Sequence, residues 1–299
     1  MKKFIILVAV IATMFTSCSN EQASFITPLN SNEVVENANI ESLSALQGKI
    51  SMLNDSMGIT HKETRGFFSR LWKVICSDAV GGLFGNFWGG PAGAVVGAAA
   101  CSGAVSISVA TRSSNISEYD MNPDLENLVP ISENGENTSF EDSIGYYHNK
   151  SLISLQSSDK PLSIHNMPIL LMDEVKNEIP QNTTFTDNDS IQLNKTYQEF
   201  ISNEQKYTGN DIDSYETHLK SCYPNQRGEI HVICEFLKGI TNIDAADADS
   251  YSKKVLNLID QSQLSGTVRQ NLRNGVIVGN ASKKLWKLKP IDQQPIQEE

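Results

Sequence analysis

Positive charge is scarce in this chain, and that scarcity excludes a first class of function. The 299 residues carry 24 Lys and Arg against 35 Asp and Glu, for a formal net charge of −11. Non-specific nucleic-acid binding needs many phosphate-neutralising cations, so no nucleic-acid partner is expected. Catalytic signatures are missing too: there is no His-Glu-x-x-His, Gly-x-Ser-x-Gly, Walker or dinucleotide-binding pattern. The carboxylates fall mostly in linker-like stretches, which would not hold a general acid and base in fixed geometry. No catalytic residue, cofactor or metal is therefore assigned. Internal repeats are absent as well, which argues against a solenoid.

Long apolar runs are also few. The first, Phe4–Phe15, follows Lys2 and Lys3 and is too short to span a bilayer, but it suits the apolar region of a signal peptide. Met1–Ser17 therefore reads as a leader. The next residues, Thr16-Ser17-Cys18, resemble the lipobox of bacterial lipoproteins, in which the chain is cut before an acylated cysteine. That resemblance implies lipidation at Cys18 and a membrane partner reached through the lipid. Ser19, rather than Asp, follows the cysteine and favours the outer membrane or cell surface of a Gram-negative bacterium. Residues 18–39 are polar and unpatterned and read as a flexible tether.

What the chain does have is one compositionally foreign stretch. Gly81, Gly85, Gly89, Gly93 and Gly97 fall at strict four-residue intervals, and Ala79 to Thr111 contains no charged residue. Glycine costs a helix interior about 1 kcal/mol relative to alanine. Five in register imply a compensating gain, the close approach of another helix. Gly89-Gly90-Pro91 interrupts the pattern, because proline lacks the N–H of the helix ladder and suits the first turn of a new helix. Two helices, Thr64–Trp88 and Pro91–Thr111, should thus form a hairpin with its turn at Gly89-Gly90. The second arm, about 31 Å long at 1.5 Å per residue, would just span a bilayer. Its Ala, Val, Gly and Ser side chains make insertion marginal, and packing inside the protein is the favoured resting state.

The fold class expected is mainly α. Leu43, Leu46, Ile50, Leu53 and Met57 mark one helical stripe ended by Gly58. That helix and the hairpin make up region 40–112. Residues 113–140 form an acidic linker without Lys or Arg. A C-terminal helical domain spans 141–289, with helices near 142–155, 167–178, 190–207, 211–221, 230–240, 247–261 and 267–286, and 290–299 is a disordered tail. Lys253–Lys289 is basic, and its last helix reads as a surface helix neutralising the acidic linker rather than as a membrane-surface helix.

The cysteines suggest crosslinks. With the turn centred between Trp88 and Gly89, Cys76 and Cys101 are equidistant from it, so a disulfide would staple the hairpin if both side chains point inward. The bland reading is two small, buried, reduced residues. His218, Cys222, His231 and Cys234 lie close in sequence, but their spacing fits no zinc pattern. Export favours oxidation, so a Cys222–Cys234 disulfide is the preferred reading, ahead of free thiols and of zinc. Asp55-Ser56-Met57, Asp142-Ser143-Ile144 and Asp189-Ser190-Ile191 resemble an O-glycan acceptor sequence of some Gram-negative envelopes.

The glycine series, continued by Gly-Pro-Ala-Gly-Ala-Val-Val-Gly-Ala-Ala-Ala, resembles the glycine-zipper hairpins of some bacteriocin-like and contact-toxin peptides. Asp142-Ser-Ile-Gly-Tyr-Tyr-His-Asn149 resembles a motif of helical bacterial lipoproteins. Together these imply a non-enzymatic, lipid-anchored envelope or surface protein that uses its hairpin for self-association, as a homo-oligomer, or for membrane interaction. The alternatives are an antagonistic toxin that permeabilises target membranes and an envelope hydrolase with an unrecognised site.

Overall fold

Helix α1 (Ser31–Ser56) stops where a left-handed residue lets its last carbonyls be satisfied. Gly58 takes φ +66°, and its N–H bonds to the Asp55 carbonyl while that of Ile59 reaches Asn54, both at 3.0 Å. This pair of crossed bonds needs a backbone conformation that glycine adopts at no steric cost. The apolar stripe lies inward: Leu43, Leu46 and Ile50 are buried, and Leu53 and Met57 pack against the same core.

The computed structural model is described for residues 31–59, 68–112, 119–122, 139–156, 167–178, 187–204, 206–209 and 211–288. The expected leader, Cys18, most of the acidic segment and residues 290–299 lie outside the described residues. Residues 31–39, expected within the tether, are helical because they continue α1. The chain forms two compact units, Met1–Val35 and Glu36–Glu299.

The second unit is built on α2 (Phe68–Arg112), a helical stretch with Pro91 inside it. Gly81 and Gly97 would stand about 24 Å apart on a straight helix. Instead, a Cβ on Gly81 would come within 2.7 Å of the Gly97 carbonyl oxygen, and one on Gly85 would collide with that of Gly93. The two arms therefore run back along each other, in contact through their backbones. Gly90, at φ +57°, occupies the reversal, and both glycine pairs are centred on Gly89. The expected hairpin is present in the fold.

Seven further helices follow among the described residues: α3 (Ile144–Gln156), α4 (Met167–Glu178), α5 (Asp187–Glu204), α6 (Ile212–Cys222), α7 (Arg227–Asn242), α8 (Ala248–Asp260) and α9 (Gly266–Leu285). Each falls within a few residues of a helix expected from periodicity and punctuation. Asp211 caps α6 by accepting from Ser214 N, and Ser265 caps α9 by accepting from Val268 N. The hairpin touches α3, α4, α5, α7 and α9. The division between 40–112 and 141–289 is thus not a structural one, since both lie in the unit Glu36–Glu299 and share a single apolar core. Glycine faces bring little apolar side-chain surface of their own, so the hairpin is enclosed by the helices that come after it.

Within the acidic segment, β1 (Tyr119–Met121) pairs antiparallel with β2 (Trp286–Leu288), placing Asp120 opposite Lys287. One other expectation is corrected. Helix α9 is not a surface helix, because Leu272, Gly275, Val276, Val278 and Gly279 and most of their neighbours are buried. Its glycines allow this. A Cβ on Gly275 would press on Ile233 and the Ala79 carbonyl, and one on Gly279 would press on Phe236. Two of its basic residues find acids: Arg273 bonds Asp142 at 2.9 Å and also Asp260, and Lys284 bonds Asp249 at 2.8 Å. No helix among the described residues is long and apolar enough to cross a membrane.

The backbone contact at Gly85 makes a direct prediction. Gly85→Ala should destabilise the protein by about 2 kcal/mol, since the added methyl forces apart two helices that touch through backbone. Gly48→Ala on α1, where a Cβ would meet nothing within 4 Å, should stabilise it by up to about 1 kcal/mol. Urea denaturation of both variants measures the contrast.

Candidate functional site: a buried polar clasp on the hairpin

Asp78 lies on the first hairpin arm, one helical turn before Gly82. Gly82 lets α9 approach so closely that a Cβ there would be 3.0 Å from Val278 and 3.2 Å from the Asn274 carbonyl. The approach of α9 encloses the neighbouring carboxylate. Asp78 is 0% exposed. Its Oδ2 accepts hydrogen bonds from Ser282 Oγ at 2.6 Å and from Trp286 Nε1 at 3.0 Å. One carboxylate oxygen thereby joins the hairpin to the end of α9 and the start of β2.

The same carboxylate meets α3. His148 is also fully buried, with its Nε2 3.6 Å from Asp78 Oδ2. The neighbouring amide assigns the imidazole tautomer. Asn149 Nδ2 donates to the Ala281 carbonyl at 3.0 Å, which leaves Asn149 Oδ1 to accept from His148 Nδ1 at 2.7 Å. The proton therefore sits on Nδ1, and Nε2 is an acceptor. Ser102, from the returning arm, faces Asp78 but makes no hydrogen bond of ordinary geometry.

The octapeptide Asp142–Asn149 acquires a physical role here. Asp142 holds Arg273 of α9, and Ser143 Oγ donates to the Ser139 carbonyl at 2.9 Å. Gly145 permits contact with α9, for a Cβ there would be 2.8 Å from both Ala281 Cβ and the Ile277 carbonyl. His148 and Asn149 complete the clasp. Sequence reasoning singled out this motif without its purpose; the signal was a glycine three residues before a His-Asn pair, which places all three on neighbouring positions of one helix.

Burial sets the electrostatics. It pushes the Asp78 carboxyl up to about 7, against the opposing effect of the nearby Ser102 hydroxyl and of the hydrogen bonds from Ser282 and Trp286. Burial likewise lowers the His148 imidazole to about 4, against the bond to Asn149. Asp, His and Ser are the residue types of an acyl-transfer relay, but their order is different here. The Ser282 hydroxyl donates to the carboxylate and not to the imidazole, and all three side chains are fully buried. The arrangement ties four elements together.

The other singled-out residues fall elsewhere. Cys76, Cys101, Cys222 and Cys234 are free thiols, in place of the expected disulfides. Centring of the hairpin on Gly89 brings Cys101 level with Ser77, and its Sγ packs toward Gly81, 2.9 Å from where a Cβ would be. Cys234 is on the core face of α7, whereas Cys222 is half-buried at the end of α6 with its Sγ 3.8 Å from His218 Nε2. His231 turns instead to Glu216, with Nδ1 2.6 Å from Oε1. Among the described residues no group of three or more His, Cys, Asp and Glu side chains is placed to hold a metal ion. Of the three acceptor-like serines, Ser56 is exposed, Ser190 half-buried and Ser143 buried.

The glycine faces are covered. Gly81, Gly85 and Gly97 share one small apolar crevice with Leu193, Tyr197 and Phe200 of α5, whose side chains are 3%, 4% and 3% exposed. Compared with known proteins, the chain matches no family model, no curated protein and no solved structure.

The clasp predicts opposite pH responses from its two titratable members. Asp78 is raised on folding, so its contribution to stability is full below the unfolded value near 3.8 and is lost as pH rises through about 7. His148 is lowered, so its contribution is full above the unfolded value near 6.5 and is lost as pH falls through about 4. Removing Asp78 with Asn should make stability, relative to wild type, rise with pH between about 4 and 7. His148→Gln should make it fall between about 4 and 6.5. Both limiting slopes are about 1.4 kcal/mol per pH unit, read from denaturation curves across that range.

Proposed function

We propose that this chain is an exported, lipid-anchored, non-enzymatic protein of the outer membrane or cell surface, attached through Cys18. In this reading the glycine hairpin is the internal keystone of the folded domain. It meets a membrane, or a second copy of the chain, only when the helices around it open. The observation that carries the reading is the covering of the glycine faces: the two arms close on each other, and Leu193, Tyr197 and Phe200 of α5 lie over the glycines. The stretch best suited to self-association or membrane contact is occupied by the protein itself. The charge balance and the leader-like N-terminus support the destination.

One observation favours the toxin alternative. The hairpin is uncharged from Ala79 to Thr111 and is surrounded by helices that present apolar side chains to it and polar ones outward. Such an arrangement stores a membrane-compatible element inside a water-facing shell.

Two measurements test these readings. Radiolabelled palmitate should enter the wild-type chain expressed in a Gram-negative host and should not enter Cys18→Ala; a labelled Cys18→Ala would overturn the anchoring site. The folded wild-type protein should release no dye from liposomes containing anionic lipid. Leakage by the wild type that disappears in Gly85→Leu plus Gly93→Leu would transfer the assignment to the toxin.

A further inference from the structure

We propose that a water molecule is bound at the centre of the domain, bridging Asp78 Oδ1, His148 Nε2 and Ser102 Oγ, and that it completes the clasp between the two hairpin arms and α3. These three atoms have no hydrogen-bond partner within the protein, and their residues are each 0% exposed. Polar atoms taken out of water in this way are almost always paired, because the hydration lost on burial is otherwise uncompensated.

The hydrogen-bond inventory shows why the protein alone does not pair them. Asp78 Oδ2 already accepts from Ser282 and Trp286. His148 Nε2 is an acceptor, because its Nδ1 carries the hydrogen donated to Asn149. Direct contact between Nε2 and Oδ2 would thus set one acceptor against another, and the 3.6 Å separation is longer than a hydrogen bond. Ser102 Oγ comes from the opposite arm and offers both a donor and lone pairs. A single water donates one hydrogen to Nε2 and one to Oδ1 and accepts from the Ser102 hydroxyl. The resulting three hydrogen bonds are the usual number for a buried water.

Water suits these atoms better than a cation does. Hard cations take several oxygen ligands, calcium six or more, and among the described residues no acidic or imidazole cluster of that kind converges here. A water also tolerates either protonation state of Asp78. It accepts from a protonated Oδ1 as readily as it donates to an ionised one.

The test uses the full folded chain. Water-oxygen magnetic relaxation dispersion counts long-lived internal waters, and long-range nitrogen NMR reads the His148 tautomer. The expected result at neutral pH is hydrogen on His148 Nδ1 only, with one fewer long-lived water in His148→Leu than in the wild type. An unchanged count in a folded His148→Leu protein would overturn the proposal, as would hydrogen on Nε2. So would a stoichiometric metal ion in the purified wild type that replaces the water. Should His148→Leu not fold, the wild type alone decides: a cross-peak from a long-lived water to the imidazole Hε1 of His148 supports the site, and its absence overturns it.

Discussion

The domain depends on a contact between two stretches of backbone. At Gly81, Gly85, Gly93 and Gly97 the arms of the hairpin approach so closely that a methyl group on Gly81 or Gly85 would enter the opposite chain. Apart from the Cys101 sulfur beside Gly81, the nearest atoms across this contact are backbone, so it supplies much dispersion attraction but buries little apolar side-chain surface of its own. The apolar burial has to come from outside. Helices α5, α7 and α9 supply it with Leu193, Phe200, Ile233, Phe236 and Val278, which is why a stretch so distinct in composition belongs to one core with residues far along the chain.

A second use of small residues multiplies the first. Gly82 opens the hairpin to α9, Gly275 and Gly279 open α9 to the hairpin and α7, and Gly145 opens α3 to α9. The hairpin, α3, α7 and α9 are thereby packed at short range. A polar group near such a stack has no room to reach solvent. Asp78, one turn from Gly82, is held in the interior and must be answered there, which Ser282 and Trp286 do from the far end of the sequence. Its burial follows from the packing that the glycines permit.

Buried polar networks add less net stability than their count of hydrogen bonds suggests, and they penalise alternative packings that leave a member unpaired. In an interior lined by alanine, valine and glycine, many helix registers would be nearly equivalent in apolar contact. The directional bonds of Asp78, His148, Asn149 and Ser282 select one of them, fixing how α3 and α9 sit on the hairpin. The one-proton arithmetic is consistent with this role. Between about 4 and 6.5 the unfolded pair keeps its proton on histidine and the folded pair keeps it on aspartate, so the clasp closes without net proton exchange.

The amino-acid sequence determined the local elements. Helical periodicity placed α4 and α6 to within a residue or two, Gly58 stopped α1, and the four-residue glycine steps broken before Pro91 dictated a hairpin, because these effects act over one or two turns of chain. The burial of Asp78 and its pairing with His148 and Ser282 were not legible, since they join residues scores of positions apart, and an aspartate at the edge of an apolar helix reads equally well as its solvated face. The same holds for the cysteines, whose sulfur directions depend on a half-residue shift of the turn, and for β1, whose partner strand lies at the other end of the domain. Tertiary structure decided those features because close approach between helices, rather than any local preference, determines which polar groups lose their water.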